Sequence, residues 1–246
     1  MATKTQPPQS QPHAQGKSSG SIEDDFMYGS NVAQCHVYIR MGFLRKVYGI
    51  LTAQLLITTL TGALFVTSEV VKGYVQQNHW MLLVAMFGTI IILIPLMIKR
   101  QETPTNYILL GAFTLMEAYS VGVIVTFYDK SVVVEALALT LAVTFGLTVY
   151  TLQSKRDFSS WGAGLFALLW ILIFAGFFQI IFPSVMMDKM IAVGGAFVFS
   201  LFIIFDTHMM MRKLSPEEYV VAAVNLYLDI INLFLYILRI LQESRR

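Results

Sequence analysis

Of 246 residues, 56% are hydrophobic and only 13% charged. A soluble domain carries roughly a quarter charged residues, so this chain cannot assemble a water-facing surface and the bilayer is its solvent. A net charge of +2, with basic residues paired between apolar runs rather than gathered in one patch, argues against a nucleic-acid partner, and one cysteine, Cys35, excludes an internal disulfide.

The first twenty residues are rich in Pro, Gln, Ser and Gly with no apolar block, which predicts disorder. Residues 1–38 are therefore read as a disordered cytosolic tail, and 39–246 as a transmembrane helical bundle. No signal peptide is expected, because the first apolar stretch begins only after Arg45 and Lys46; the first helix itself targets the membrane. About twenty apolar residues at 1.5 Å each cross a hydrocarbon core of about 30 Å. The sequence supplies such stretches at Val47–Thr67, Trp80–Ile98, Asn106–Phe127, Val132–Leu152, Trp161–Phe182 and Met190–Met211. A seventh, Tyr219–Leu241, is long enough but carries Asn225, Asp229 and Asn232. The fold class is an all-α integral membrane protein of six to seven helices.

Cytoplasmic loops are enriched in Lys and Arg. Arg40, Arg45 and Lys46 precede span one, and Lys99 with Arg100, Lys155 with Arg156, and Arg212 with Lys213 fill alternate gaps; the intervening gaps hold Lys72, Lys130 and Lys189 singly. This alternation puts the N-terminus in the cytosol. A seventh crossing would break the rule by placing Arg239, Arg245 and Arg246 on the far side. Either the last segment is a re-entrant hairpin, or the bias is overridden late in the chain; the absence of a central Gly or Pro favours the full helix.

Carboxylates at hydrocarbon depth are costly, and each is a functional candidate by default. Glu117, Glu135, Asp206 and Asp229 qualify, and the only basic partners stand at helix ends. On a helix, Asn225, Asp229, Asn232, Tyr236 and Arg239 follow at spacings of four, three, four and three, forming one polar stripe that should face the bundle interior or a water-filled cavity. Interhelical hydrogen bonding for packing alone explains Asn225 and Asn232 readily, Asp229 less so. Asp206 stands about nine residues before Ser215 in the turn at LSPEE and Asp229 about fourteen after it, a match to within about a turn or two of helix that allows the two to meet across antiparallel helices. If they meet, both cannot ionise cheaply; the pair shares a proton, senses pH, and in its ionised form offers hard oxygens to a transient Ca²⁺. Glu117, with Thr114 and Ser120 on its face, would continue a hydrophilic path; Glu135 snorkels to the interface, and His208 reads as an interfacial histidine.

At these acidic helices the sequence resembles the lifeguard branch of the transmembrane Bax inhibitor motif family. The resemblance rests on SIEDDFMYGS (21–30), IRMGFLRKVYGIL (39–51), FTLMEAYSVG with VTFYD (113–129), FGLTVYTLQSKRDFSSWGAGLFALLWIL (145–172), IIFDTHMMMRKLSPEEYV (203–220) and NLYLDIINLFLYILRIL (225–241). It implies outer helices wrapped around a central C-terminal helix, and a pH-sensing aspartate pair at Asp206 and Asp229. It implies a cation-permeable protein that leaks Ca²⁺ from Golgi and endoplasmic reticulum stores and dampens apoptosis, with Ca²⁺ and H⁺ as its ions and no cofactor. Bacterial relatives carry an arginine in the second helix that engages the aspartates; Trp80–Ile98 has none, so a gate built on that arginine is not expected here.

The competing reading is a membrane scaffold that transports nothing and acts by contacting apoptosis regulators or Ca²⁺-release channels. An intramembrane aspartyl protease is a poor fit, since LYLD and IIFD lack the GxGD and PAL patterns; a rhodopsin-type receptor is another, with short loops, no DRY motif and no second cysteine.

Overall fold

The computed structural model describes Val32, Ala33, Cys35 and residues 37–245, and the tail assigned to residues 1–38 lies almost wholly outside the described residues. Among the described residues eight α-helices follow in order: α1 (Val37–Thr67), α2 (Glu69–Gln77), α3 (His79–Ile98), α4 (Thr105–Val125), α5 (Lys130–Gln153), α6 (Gly162–Ile181), α7 (Val185–Arg212) and α8 (Tyr219–Ser244). A 3₁₀ turn, Ser159–Trp161, leads into α6, and there is no strand among the described residues. All but α2 are long and apolar enough to cross a membrane.

The first helix begins ten residues before its apolar stretch. Phe43, Val47, Leu51, Gln54 and Thr58 are all buried at spacings of three and four, so the packed stripe starts upstream of the hydrophobic run and carries the helix with it. The short α2 is an addition to the expected elements. Ser68 caps it by accepting from the Val71 backbone N–H at 3.5 Å, Glu69 complements the positive end of its dipole, and Val75 packs with Phe65 and Val123.

The C-terminal helix is central. It packs on α1, α5 and α7 and touches α4, while α3 lies outside α4, and α6 leans on α7. Buried residues make up 67% of its apolar stretch against 6% for the stretch containing α6, whose Phe166, Trp170 and Phe174 are exposed as lipid-facing side chains. A single continuous helix of 26 residues, about 39 Å long, rules out the hairpin alternative for the last segment. Its basic residues are neutralised where they fall. Arg239 pairs with Asp188 at the start of α7, and Arg245 pairs with Glu135 on α5 at 2.6 Å and donates to Ser131 at 2.8 Å. Glu135 thus reaches the helix end as expected, but to meet a cation rather than water alone. At the opposite end Glu218 closes the α7–α8 turn, accepting from Ser215 N–H at 3.2 Å and pairing with Arg100 at 3.0 Å.

Candidate ion switch on the central helix

Antiparallel packing of α7 against α8 brings the polar stripe of α8 onto one seam. Asp206 lies close to both the Asp229 carboxyl and the Asn225 side chain. Asp229 is 5% exposed, and its Oδ2 has no hydrogen-bond partner. Further along the seam the Tyr236 ring stacks on Phe199 with centroids 5.7 Å apart and lies directly over Gly195, where a Cβ would come within 2.4 Å of the ring. The Arg239–Asp188 pair closes the far end. Asn232 turns back on its own helix, donating to Leu228 C=O at 2.8 Å. The stripe therefore faces the bundle interior, with the two aspartates at one end and tight aromatic packing at the other.

Two carboxyls in contact at this burial cannot both carry charge cheaply, and no Lys or Arg is paired with either among the described residues. One proton, or a cation, must hold them together. Ca²⁺ takes six to eight oxygens, and no group of three or more His, Cys, Asp or Glu side chains that could hold a metal occurs among the described residues.

Glu117 is not brought to this pair. It contacts Thr89 on α3 and neighbours Tyr227 on α8, and Tyr227 lies about 200° around the helix from Asp229. Thr114 and Ser120 each donate to the carbonyl four residues back, at 2.8 and 3.1 Å, rather than to Glu117. The face that Glu117 joins is a buried hydrogen-bond chain that the sequence reading missed. Tyr227, wholly buried, shares a 2.8 Å bond with the Thr58 hydroxyl; Thr58 donates to Gln54 C=O at 2.9 Å, so Tyr227 is the donor to Thr58. The Gln54 amide donates to Thr114 at 3.0 Å. The available signal was the i, i+4 placement of Gln54 and Thr58 on the same face as Val47 and Leu51.

His208 also differs from expectation. It sits at a helix end but is buried, 2% exposed, with Nε2 at 2.9 Å from Asp157 in the α5–α6 loop and its ring edge-on to Phe158. The Ser159 hydroxyl and backbone N–H, then His208 and the charge of Lys213, hold the Asp157 carboxyl down at about 2. Asp157 escaped notice because it is a loop residue whose partner is 51 positions away.

Seven apolar helices among the described residues, with the C-terminal one central and two carboxyls close together at its seam, define a multi-pass α-helical membrane protein. Residues 40–246 match the family described as Inhibitor of apoptosis-promoting Bax1, and the chain belongs to that family. It is 51% identical to Protein lifeguard 4 of Mus musculus, over 94% of this chain and 97% of that protein. The Golgi anti-apoptotic protein of Vaccinia virus (strain Lister) is also 51% identical, over 92% of this chain and 95% of its own. Bax inhibitor 1 of Schizosaccharomyces pombe is 39% identical over 96% and 89%.

Proposed function

We propose that this chain is a pH-sensitive Ca²⁺ leak channel of intracellular membranes, the Golgi and endoplasmic reticulum, gated by Asp206 and Asp229, which lowers stored Ca²⁺ and inhibits apoptosis. The apoptotic role and the Golgi location are carried by the names of its relatives, the Golgi anti-apoptotic protein foremost. The gate rests on one observation: two carboxyls in contact on neighbouring helices without a basic residue between them. Their contact depends on a shared proton, so proton loss or cation arrival forces the α7–α8 seam to rearrange. The N-terminus is assigned to the cytosol, the side that would receive Arg100, Lys155 and Arg156. We read the pair as an ion switch rather than a hydrolytic dyad, since the flanking residues lack the protease patterns.

The test is Ca²⁺ flux through purified protein in liposomes from pH 6 to 8, comparing wild type with Asp206→Asn, Asp229→Asn and the double variant. Protein-dependent flux whose pH response disappears in each single variant, with little further change in the double, is the expected result. Wild-type liposomes that leak no more than empty ones end the channel reading and leave the scaffold, acting on apoptosis regulators or Ca²⁺-release channels by contact, in its place.

A further inference from the structure

At the end of the bundle where α1 starts and α5 and α7 finish, a cavity of about 290 Å³ is lined by Ala33, Arg40, Thr151, His208, Met211 and Arg212, with Leu152 beside them. Val32, which donates to Leu214 C=O at 2.9 Å, holds the chain before α1 against this end. At about 30 Å³ per water, the space would take roughly ten waters, enough for a phosphorylated headgroup. We propose that this cavity binds a phosphate-bearing anion, held by the guanidinium groups of Arg40 and Arg212.

The charge balance supports an anion. Neither Arg40 nor Arg212 is paired with a carboxylate among the described residues; Arg212 donates only to Ser154 C=O, at 3.4 Å. The C-termini of α5 and α7 each contribute roughly −0.5 of a charge and the N-terminus of α1 roughly +0.5. Against two guanidinium charges, and counting the ionised Asp157 beside His208, this leaves about +0.5 at the site. Asp157, which meets the cavity-lining His208, is also engaged by Ser159. Lys155, Arg156 and Lys213 stand in the adjoining segments and add to the positive field. Arg suits phosphate in particular, because its planar fork donates two parallel hydrogen bonds to one tetrahedral oxyanion, a geometry Lys does not offer. The helix ends place the mouth at the level of the membrane surface, so a lipid headgroup and a soluble phosphate ester share the same chemistry here.

The experiment is calorimetric titration of the full chain in neutral detergent with short-chain phosphatidic acid, glycerol phosphate and inorganic phosphate, and with short-chain phosphatidylcholine as control. Arg40→Gln and Arg212→Gln should each weaken binding by about tenfold or more, the loss of one charge-assisted contact. Lys155→Gln, outside the cavity, should change it little. Ala33→Trp fills the mouth without altering charge and should abolish binding; this variant keeps the test informative if an arginine variant does not fold. Binding of phosphatidic acid alone supports the site with lipid as the source, and binding of all three phosphates supports it with soluble anions admitted. No binding by any phosphate, binding of phosphatidylcholine equal to that of phosphatidic acid, or undiminished binding by a monodisperse Arg40→Gln/Arg212→Gln protein overturns the proposal.

Discussion

Substituting Gly195 tests whether the α7–α8 seam is as close as it looks. A Cβ there would meet Tyr236 ring carbons at 2.4, 2.5 and 2.5 Å. Ordinary carbon contacts need about 3.5 Å or more, so the ring or the helix must move by roughly 1 Å. The ring is not free to swing, being stacked on Phe199 at an interplanar angle of 24°. Overpacking of this kind costs about 1–3 kcal/mol, from which Gly195→Ala regains about 1 kcal/mol of helix propensity, leaving a net loss near 1 kcal/mol. Gly195→Val regains less and adds two methyl groups, so its loss should approach about 3 kcal/mol. At roughly 2–4 °C per kcal/mol for a chain of this size, the midpoints fall by about 2–4 °C and 6–12 °C. The assay is thermal unfolding of purified protein in detergent, followed by near-ultraviolet circular dichroism. In a Tyr236→Ala background the ring is gone, and Gly195→Val should cost far less, giving a coupling of about 1–3 kcal/mol. Small interface residues let membrane helices approach closely, and that is the role claimed for Gly195. A Gly195→Val protein that melts with wild type, or a cycle without coupling, would refute the close seam.

Three further outcomes follow from the contacts. Arg239→Gln strands Asp188, and because the pair is only 30% and 23% exposed the loss should lie between surface and buried pairs, about 2 kcal/mol in the same melts; Asp188→Arg with Arg239→Asp should recover part of it. Tyr227→Phe removes the donor to Thr58 but leaves Thr58 bonded to Gln54 C=O, so it should cost about 1 kcal/mol and leave Ca²⁺ flux unchanged. Asp157, held at about 2 when folded and near the ordinary carboxylate value when unfolded, contributes stability that is complete above about pH 4 and lost as pH falls through about 2. Melts between pH 4 and 2 should therefore fall more steeply for wild type than for Asp157→Asn.

Hydropathy and length placed the seven apolar segments because each must satisfy its backbone internally, and that requirement is written in consecutive residues. The same reasoning located the seam: a polar stripe at spacings of four, three, four and three is a property of one helix, and its partner Asp206 was found by counting back from a turn. What stayed hidden depends on rotation between helices. Glu117 was placed on a path with the aspartates because its own helix shows only which residues share its face, not which side of α8 that face meets. Arg239 and Arg245 looked like violations of charge bias because their partners, Asp188 and Glu135, are 51 and 110 residues distant. The short α2 was missed for a different reason, being nine residues long and recognisable only by its Ser68 cap and Glu69.

The two polar faces of α8 differ in what they can do. On the Tyr227 side, hydroxyls hand hydrogen bonds along until the chain ends on the Gln54 and Leu110 carbonyls, and the one orphan atom, Gln54 Oε1, belongs to a neutral amide that does not titrate. The titratable group on that side is Glu117, which neighbours Tyr227 and stands apart from the aspartates. On the Asp229 side, an orphan carboxylate oxygen adjoins a second carboxyl, so the stability of the contact changes with every proton or cation gained or lost. Tight packing of Tyr236 on Gly195, together with the Arg239–Asp188 pair, fixes the far end of the seam, so the gate proposed above would open at the aspartate end. The Tyr227 face thus anchors α8 to α1 and α4, while the Asp229 face sets two carboxyls side by side against α7; under the gate proposed above, ion occupancy would be resolved as movement at that seam rather than as strain spread through the bundle.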